Sequence, residues 1–244
     1  MNIHLVGTGS IGAVERSACT LIDEKILVDC GNGLVKTIMQ QGFDIGNIEA
    51  ILITHLHGDH YLDLPYFILS KCFSELNKKT KIYCPKGTEK RVKEIADLYA
   101  YGDCNFEDVK IEGNVEFIEF DNLDNEEVLP GYFVKSYEVQ HVIIEPAYGY
   151  TIEHEEKRVG FSGDTIFCDN VDKIVSFSDL SILDMSSKES AKSHMGVNDI
   201  QNICNKYKDK IIVSTHMKKS TRDYAKTLNI KNLVIPTDGT EIEL

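Results

Sequence analysis

Short apolar runs alternate with amphipathic stretches along this chain, the pattern of an α/β protein. Ile3 to Val6 reads as a strand, followed by a hairpin of Cys19 to Leu21 and Ile26 to Val28 around Asp23-Glu24-Lys25. Leu34 to Gln41 predicts a short helix closed by Gly42. Ala50 to Thr54 predicts a buried strand that delivers the chain to His55, and Tyr61 to Leu76 and Thr88 to Tyr101 predict helices. β-type runs then dominate: Val115 to Phe120, Tyr132 to Val139, Tyr148 to Ile152 and Arg158 to Phe161. Leu180 to Leu183 and Ile211 to Val213 are expected core strands, with helices near Val197 to Tyr207 and Thr221 to Leu228. The acid-rich segment Glu112 to Glu127 is interleaved with Val115, Phe117, Ile118 and Phe120 and reads as a solvated edge hairpin. Two successive β-rich halves, each followed by helices, predict a sandwich with the sheets inside and the helices outside.

Composition narrows the class. A length of 244 residues suits one α/β domain over residues 1–244, and 42% hydrophobic with 27% charged residues is ordinary for a soluble globular protein. No apolar run approaches the roughly 18 residues needed to span a bilayer. Met1-Asn2-Ile3-His4-Leu5-Val6-Gly7 reads directly as a strand and turn rather than a signal peptide, so a cytoplasmic protein without membrane contact is expected. Seven scattered cysteines with no C-x-x-C spacing argue against a disulfide framework and a cysteine-type zinc knuckle; they read as buried small apolar residues. A net charge of −13 makes a poor generic binder of nucleic acid, so an anionic substrate must be held by local charge.

Gly7-Thr8-Gly9-Ser10-Ile11-Gly12 matches G-x-G-x-x-G after a strand. A dinucleotide site needs a helix to open at that turn, and no helical period appears before residue 33. The glycines instead suit a tight loop passing beneath an active site.

The chemistry is concentrated in His55-Leu56-His57-Gly58-Asp59-His60, at the end of the strand from Ala50. Four imidazole or carboxylate donors in six residues are the hard-to-borderline set that suits zinc. His55 and His57 can point the same way from an extended segment, whereas Asp59 and His60 cannot easily converge on the same ion. The spacing therefore suggests two metals side by side.

The run Val28-Asp29-Cys30-Gly31-Asn32-Gly33 through Ile51-Leu52-Ile53-Thr54-His55 to Leu64-Pro65 resembles the ribonuclease Z branch of the metallo-β-lactamase superfamily. So do Gly7-Thr8-Gly9-Ser10, Glu15-Arg16-Ser17, His141 ahead of Gly149-Tyr150, Phe161-Ser162-Gly163-Asp164-Thr165 and Ser214-Thr215-His216. The resemblance implies a four-layer αββα sandwich and a hydrolase with two zinc ions, manganese or iron being possible substitutes. It implies that His55, His57 and His141 hold one metal, that Asp59, His60 and His216 hold the other, and that Asp164 bridges them. Asp59 also stands among the expected catalytic groups. Asp29 resembles the family's carboxylate that orients a ligand imidazole from behind. His4 and His154 are left as structural or solvent-facing. A homodimer is expected by the same likeness.

Asp184 and His194 fall where this branch places a carboxylate, usually glutamate, and a histidine that assist proton transfer. The shorter aspartate leaves open whether the pair meets. Hydroxide generated between the metals would attack phosphorus in line, and His194 would protonate the departing oxygen. Bacterial ribonuclease Z proteins carry a protruding tRNA-gripping arm after the third ligand motif, where this chain has room only for a simple hairpin, Thr151 to Gly160. With the acidic net charge, this favours a small phosphodiester such as a cyclic nucleotide over precursor tRNA. Lys218, Lys219 and Arg222 form a local basic cluster large enough for one phosphate. The alternatives are ribonuclease Z-type tRNA 3′ processing and hydrolysis of a carboxylic ester, lactone or thioester. Glyoxalase II-type thioesterases usually carry Gly-Gly soon after the metal motif and a helical C-terminal domain, both absent, and di-iron relatives usually have glutamate where His57 stands.

Overall fold

The computed structural model describes residues 1–74, 78–98, 114–141 and 145–244, with the side chain of Cys72 left aside. Among the described residues, fourteen strands form two seven-stranded sheets. The first has the order β14 (Thr240–Glu243), β1 (Asn2–Gly7), β2 (Cys19–Ile22), β3 (Ile26–Val28), β4 (Ala50–Leu52), β5 (Thr80–Pro85) and β6 (Val115–Phe120). The second has the order β13 (Leu233–Val234), β12 (Ile211–Thr215), β11 (Leu180–Asp184), β10 (Lys157–Phe161), β9 (Ala147–His154), β8 (Tyr132–Val139) and β7 (Glu126–Leu129). Helices α1 (Leu34–Gln40), α2 (Gly58–Tyr61), α3 (Leu64–Cys72) and α4 (Thr88–Leu98) follow strands of the first sheet. Helices α5 (Asp169–Phe177), α6 (Val197–Lys206) and α7 (Lys219–Lys226) follow strands of the second.

Alternation along the strands builds three apolar layers and hence four structural ones. Ala50 and Leu52 face inward with Ile3, Leu5, Val134, Tyr150, Ile182 and Val213, drawing both sheets into one core. Ile51 and Ile53 face outward onto Leu34, Ile38, Leu64 and Phe67 of α1 and α3. Leu183 and Ile212 do the same against Val171, Ile200 and Ala225 of α5 to α7. Because both faces are covered, the central strands read as continuous apolar runs rather than alternating ones. The result is the expected αββα sandwich.

Three expectations change. Glu112 to Glu127 is not a hairpin: β6 is the edge of the first sheet and β7 the edge of the second, so the acidic segment crosses between sheets, with residue 112 outside the described ones. Edge position explains its polar character, since one flank of each strand has no ladder partner. The helix expected from Tyr61 to Leu76 is two pieces, α2 and α3, with Pro65 in the first turn of α3, where its missing N–H is tolerated; residues 75–77 lie outside the described ones. The strand from Ala50 stops at Leu52; beyond it the Ile53 N–H still donates to the Tyr83 carbonyl, but the Thr54 carbonyl accepts from the Tyr148 N–H of the other sheet. Residues 99–101 of the helix expected to end at Tyr101 also lie outside the described residues. Cys19, Cys30, Cys84 and Cys204 are buried and Cys168 half-buried, all as free thiols. No helix among the described residues is long and apolar enough to cross a membrane.

Strand directions collect the chemistry at one rim. β10, β11 and β12 are parallel; β9 runs against both β10 and β8, so β8 points the same way as β10. In the facing sheet β3 and β4 are parallel. The carboxyl ends of these six strands lead to Asp29, His55, His141, Asp164, Asp184 and His216.

Candidate metal centre

His55 leaves the end of β4, and His57 caps α2 in an extended conformation, φ −77° and ψ 146°. Asp59 and His60 lie in α2 itself, a helix of four residues. The loop after β3 passes directly beneath this helix. A Cβ on Gly31 would stand 1.9 Å from the Asp59 carbonyl oxygen, so glycine is required there. The backbone N–H of Cys30 donates to the His60 carbonyl (2.7 Å), and that of Asp63 to the Cys30 carbonyl (3.0 Å).

Asp164 stands at the centre. Its Oδ2 is 3.2 Å from His216 Nε2, 3.4 Å from His60 Nε2, 3.8 Å from His55 Nε2 and 3.9 Å from His141 Nε2. His141 Nε2 lies 3.0 Å from His57 Nδ1, and His216 Nε2 lies 3.3 Å from Asp59 Oδ2. His55, His57, His141 and Asp164 thus present ligand atoms within 4.8 Å of one another, as do Asp59, His60 and His216. The structure thus brings the candidate donors named from the sequence together at one rim, and Asp164, Asp184, His194 and His216 form a third converging group. His55, Asp59, His60, His141, Asp164 and His216 are buried, whereas His57 is exposed at the opening.

The donors fit metal ions on internal grounds. His55 Nε2 and His60 Nε2 are buried without a hydrogen-bond partner among the described residues. A buried imidazole nitrogen left this way is unfavourable unless something else engages it. Burial, with repulsion from His60, holds the His55 pKa well below its ordinary value, and burial lowers that of His141. Burial also opposes charge on His60 and His216, but there the carboxylates prevail. Asp164 and Asp29 hold His60 well above the usual range, and Asp164, Asp184 and Asp59 push His216 up to about 10. Burial disfavours the charge of Asp164 too, yet His216, His60 and His55 keep its carboxyl well below the ordinary range. Ligation requires neutral imidazoles, so ion binding releases the protons that His60 and His216 otherwise keep.

Behind the donors lies a layer of orienting groups. His60 Nδ1 donates to Asp29 Oδ2 (2.8 Å), and His141 Nδ1 to the Ser193 carbonyl (2.8 Å). Asp184 reaches His194: its Oδ2 accepts from His194 Nδ1 at 2.9 Å, and its Oδ1 lies 3.6 Å from His216 Nδ1. Burial works against the charge on His194, but this hydrogen bond and the Asp184 charge raise its pKa. Asp29 and His216 both hold φ in the left-handed region, +64° and +58°, which is uncommon for non-glycine residues and concentrates strain at this rim.

The basic cluster divides. Arg222 is turned inward, paired with Glu15 and donating from Nη2 to Thr8 Oγ1 (2.9 Å), and Lys219 pairs with Asp223 (2.6 Å). Lys218 is exposed and has no side-chain partner among the described residues. The reason is steric and electrostatic: burial at 4% exposure commits the guanidinium to the nearest carboxylate. In the loop after β1, Gly7 and Gly9 pack against the loop's own returning backbone, whereas Gly12 has open space around it. A Cβ on Gly7 would stand 2.1 Å from the Ser17 carbonyl oxygen, and one on Gly9 would stand 2.7 Å from that of Glu15.

Some residues of the site carry no signal in the sequence. Asp238 binds the N–H and hydroxyl of Thr8 and the N–H of Arg16, and Asp63 accepts from the N–H of Val35 (2.7 Å). Asp63 falls within the resembling motif, but nothing marks its task, and Asp238 lies outside every motif.

Sheets, rim and donors together are those of a metallo-β-lactamase-fold protein of ribonuclease Z-like type, with donors placed for two metal ions. Within that class the family model described as "Anti-Pycsar protein Apyc1" matches residues 1–237, and the chain belongs to that family. The chain is also 32% identical over 135 residues to a ribonuclease Z of Lachnoclostridium phytofermentans, covering 55% of this chain and 40% of that protein. It spans about half the length of several curated ribonuclease Z relatives that it matches. Among solved structures, a diphosphatase from the PhnP family superposes with a TM-score of 0.77 at 19% identity, covering 100% of this chain and 97% of that one. The short form of human tRNase Z superposes with a TM-score of 0.73 at 20% identity, covering 100% and 99%. At these identities the two structures show the fold.

Proposed function

We propose that this protein is a zinc-dependent phosphodiesterase acting on a small phosphodiester such as a cyclic nucleotide. The observation that carries the reading is the His194–Asp184 pair, hydrogen-bonded at 2.9 Å with His194 Nδ1 3.9 Å from Asp164 Oδ2. A proton carrier thus stands beside the metal donors. His55, His57, His141, Asp59, His60, His216 and Asp164 would hold two divalent ions, which when bound would supply an acidified water and neutralise charge on the phosphoryl oxygens. Asp184 fixes the imidazole of His194 through Nδ1, which leaves Nε2 to protonate the oxygen that departs from phosphorus. The atoms balance as addition of water: hydroxyl to phosphorus, proton to the leaving oxygen. Five imidazoles with two carboxylates are a donor set that suits zinc, with manganese or iron as substitutes.

A small substrate is supported by the turn between β9 and β10. His154 pairs with Lys157, so Glu155 and Glu156 alone close the hairpin, both at positive φ. That is where bacterial relatives place a tRNA-gripping arm. The net charge of −13 points the same way. Lys218 is the remaining candidate for contact with a substrate phosphate. The second reading is tRNA 3′ processing, favoured by the curated relatives named ribonuclease Z. A panel decides: zinc- and manganese-loaded protein against 2′,3′- and 3′,5′-cyclic nucleotides, precursor tRNA, a lactone and a thioester. The highest kcat/KM is expected on a cyclic nucleotide. Site-specific trimming of a tRNA 3′ trailer at higher kcat/KM would replace the first reading with the second.

A further inference from the structure

The two histidines whose Nε2 atoms are buried without a partner among the described residues, His55 and His60, are held from behind by one connected set of hydrogen bonds. Thr54 Oγ1 lies 3.0 Å from His55 Nδ1 and 2.9 and 3.1 Å from the two oxygens of Asp29. Asp29 Oδ2 is in turn 2.8 Å from His60 Nδ1, and Asp29 Oδ1 accepts from the backbone N–H of Thr54 at 2.8 Å. We propose that Thr54 is a positioning residue which, with Asp29, forms a proton-ordered relay setting the tautomer of one ligand imidazole at each metal.

Counting protons leaves one arrangement. Asp29 as a carboxylate only accepts, and a threonine hydroxyl has one proton to give. If that proton pointed at His55 Nδ1, the hydroxyl oxygen would face both carboxylate oxygens at 2.9 and 3.1 Å with no hydrogen between them. The hydroxyl therefore donates to Asp29, and its lone pair accepts from His55 Nδ1–H. His60 Nδ1–H donates to Asp29 Oδ2 by the same rule. Both rings then carry hydrogen on Nδ1, so the nitrogen each offers an ion is Nε2, facing Asp164 Oδ2 at 3.8 Å for His55 and, once its own proton is released, at 3.4 Å for His60. Among the described residues these are the two Nε2 atoms left buried without a partner, the Nδ1 atoms of His4 and His216 being the other such ring nitrogens. The relay is buried throughout: Thr54 is 1% exposed and Asp29 5%. The backbone of Asp29 is left-handed at φ +64°, and its carboxylate meets His60 directly and His55 through the Thr54 hydroxyl.

This inference rests on the dinuclear reading of the site but not on any substrate. It predicts an asymmetry. Thr54→Val keeps shape and backbone but removes the hydroxyl, so the set containing His55 should lose affinity while the set containing His60 does not. Groups that orient a ligand histidine are worth about 10–100-fold in metal affinity. The test measures stepwise zinc affinities by chelator competition, with elemental analysis, for the wild type, Thr54→Val, Thr54→Ser and Asp29→Asn, beside nitrogen NMR of labelled imidazoles. One site is expected to weaken about 10–100-fold in Thr54→Val and to be restored in Thr54→Ser, while Asp29→Asn, whose amide offers one acceptor oxygen, weakens both. In the wild type, His55 and His60 should show protonated Nδ1. Wild-type affinity at both sites in Thr54→Val, equal loss at both, or an Nε2–H tautomer of His55 would overturn the proposal. Should Thr54→Val fail to fold, the tautomer of His55 in the wild type still decides. Wild-type protein holding a single ion would instead remove the dinuclear reading, a result the NMR arm separates from failure of the relay.

Discussion

The two sheets meet at one rim but supply the metal centre in opposite ways. The first sheet gives four donors within six residues, His55, His57, Asp59 and His60, from one strand end and the short helix after it. The second gives one residue at a time, His141, Asp164, Asp184 and His216, each from a different strand. The first contribution is local and is set by a sharp strand–helix turn over Gly31. The second is set by register: Asp184 pairs with Thr215 across β11 and β12, which places its carboxylate next to His216. A local cluster can be built from one segment, but a distributed one exists only when the whole sheet is in register. Substitutions on the second sheet should therefore act on more than one function at once.

The largest test of this contrast is Asp164→Ala against His57→Ala. Asp164 lies with His55, His57 and His141 and also within 3.4 Å of His60 and 3.2 Å of His216, whereas His57 belongs to one group and sits exposed at the opening. Elemental analysis should find both ions lost from Asp164→Ala and one retained in His57→Ala. Equal loss in the two variants would remove the distinction between a shared and a local donor. Next in size is His194→Ala. An ester with a poor alcohol leaving group should slow by about 10²–10⁴-fold, while a nitrophenyl ester, whose leaving group needs no proton, slows far less. Equal losses on both esters would assign His194 an orienting role instead.

Asp184 sharpens the contrast further, because one buried carboxylate faces both His194 and His216. Asp184→Asn is expected to weaken the ion held by His216 by about 10–100-fold and to reproduce part of the leaving-group effect of His194→Ala. His194→Ala should leave metal affinity unchanged. Stepwise zinc titrations of the two variants check this, and a His194→Ala protein with equally weakened zinc would break the separation.

The same contrast explains what the sequence disclosed. His55 to His60 stood out because four donors on an apolar strand have no structural use. His141, Asp164 and His216 are isolated along the chain and become interpretable only through the resemblance to the ribonuclease Z branch. Strand content was legible from apolar periodicity, but sheet membership was not, so Val115–Phe120 and Glu126–Leu129 looked like one hairpin although they edge different sheets. Periodicity reports which face is buried and says nothing about which distant strand pairs with it. Thr54 was invisible as a participant for a related reason, since its partner Asp29 is 25 residues away. Arg222 looked like a phosphate ligand because charge is legible in sequence and burial is not.

The smallest effect concerns how the two sheets are tied together beside the site. Arg222 on α7 of the second sheet's half reaches Glu15 and Thr8 in the loop after β1 of the first. Asp238 holds the same loop through Thr8 and Arg16, and the Met217 N–H donates to the Thr8 carbonyl at 3.2 Å, next to His216. Glu15→Gln would leave a guanidinium, itself 4% exposed, facing a neutral amide, and hydrogen bonds to charged groups are worth about 1.5–3 kcal/mol. A stability loss of that order is expected in denaturant unfolding. Arg222→Met should lose less, because the Glu15 left behind is only half-buried and can be solvated. The double variant should be no worse than Glu15→Gln alone, the signature of a coupled pair. Metal stoichiometry should stay at two in all three, since none of these side chains is among the donors. Additive losses in the double variant would mean that Arg222 and Glu15 act independently, and the loop's attachment would then rest on Asp238.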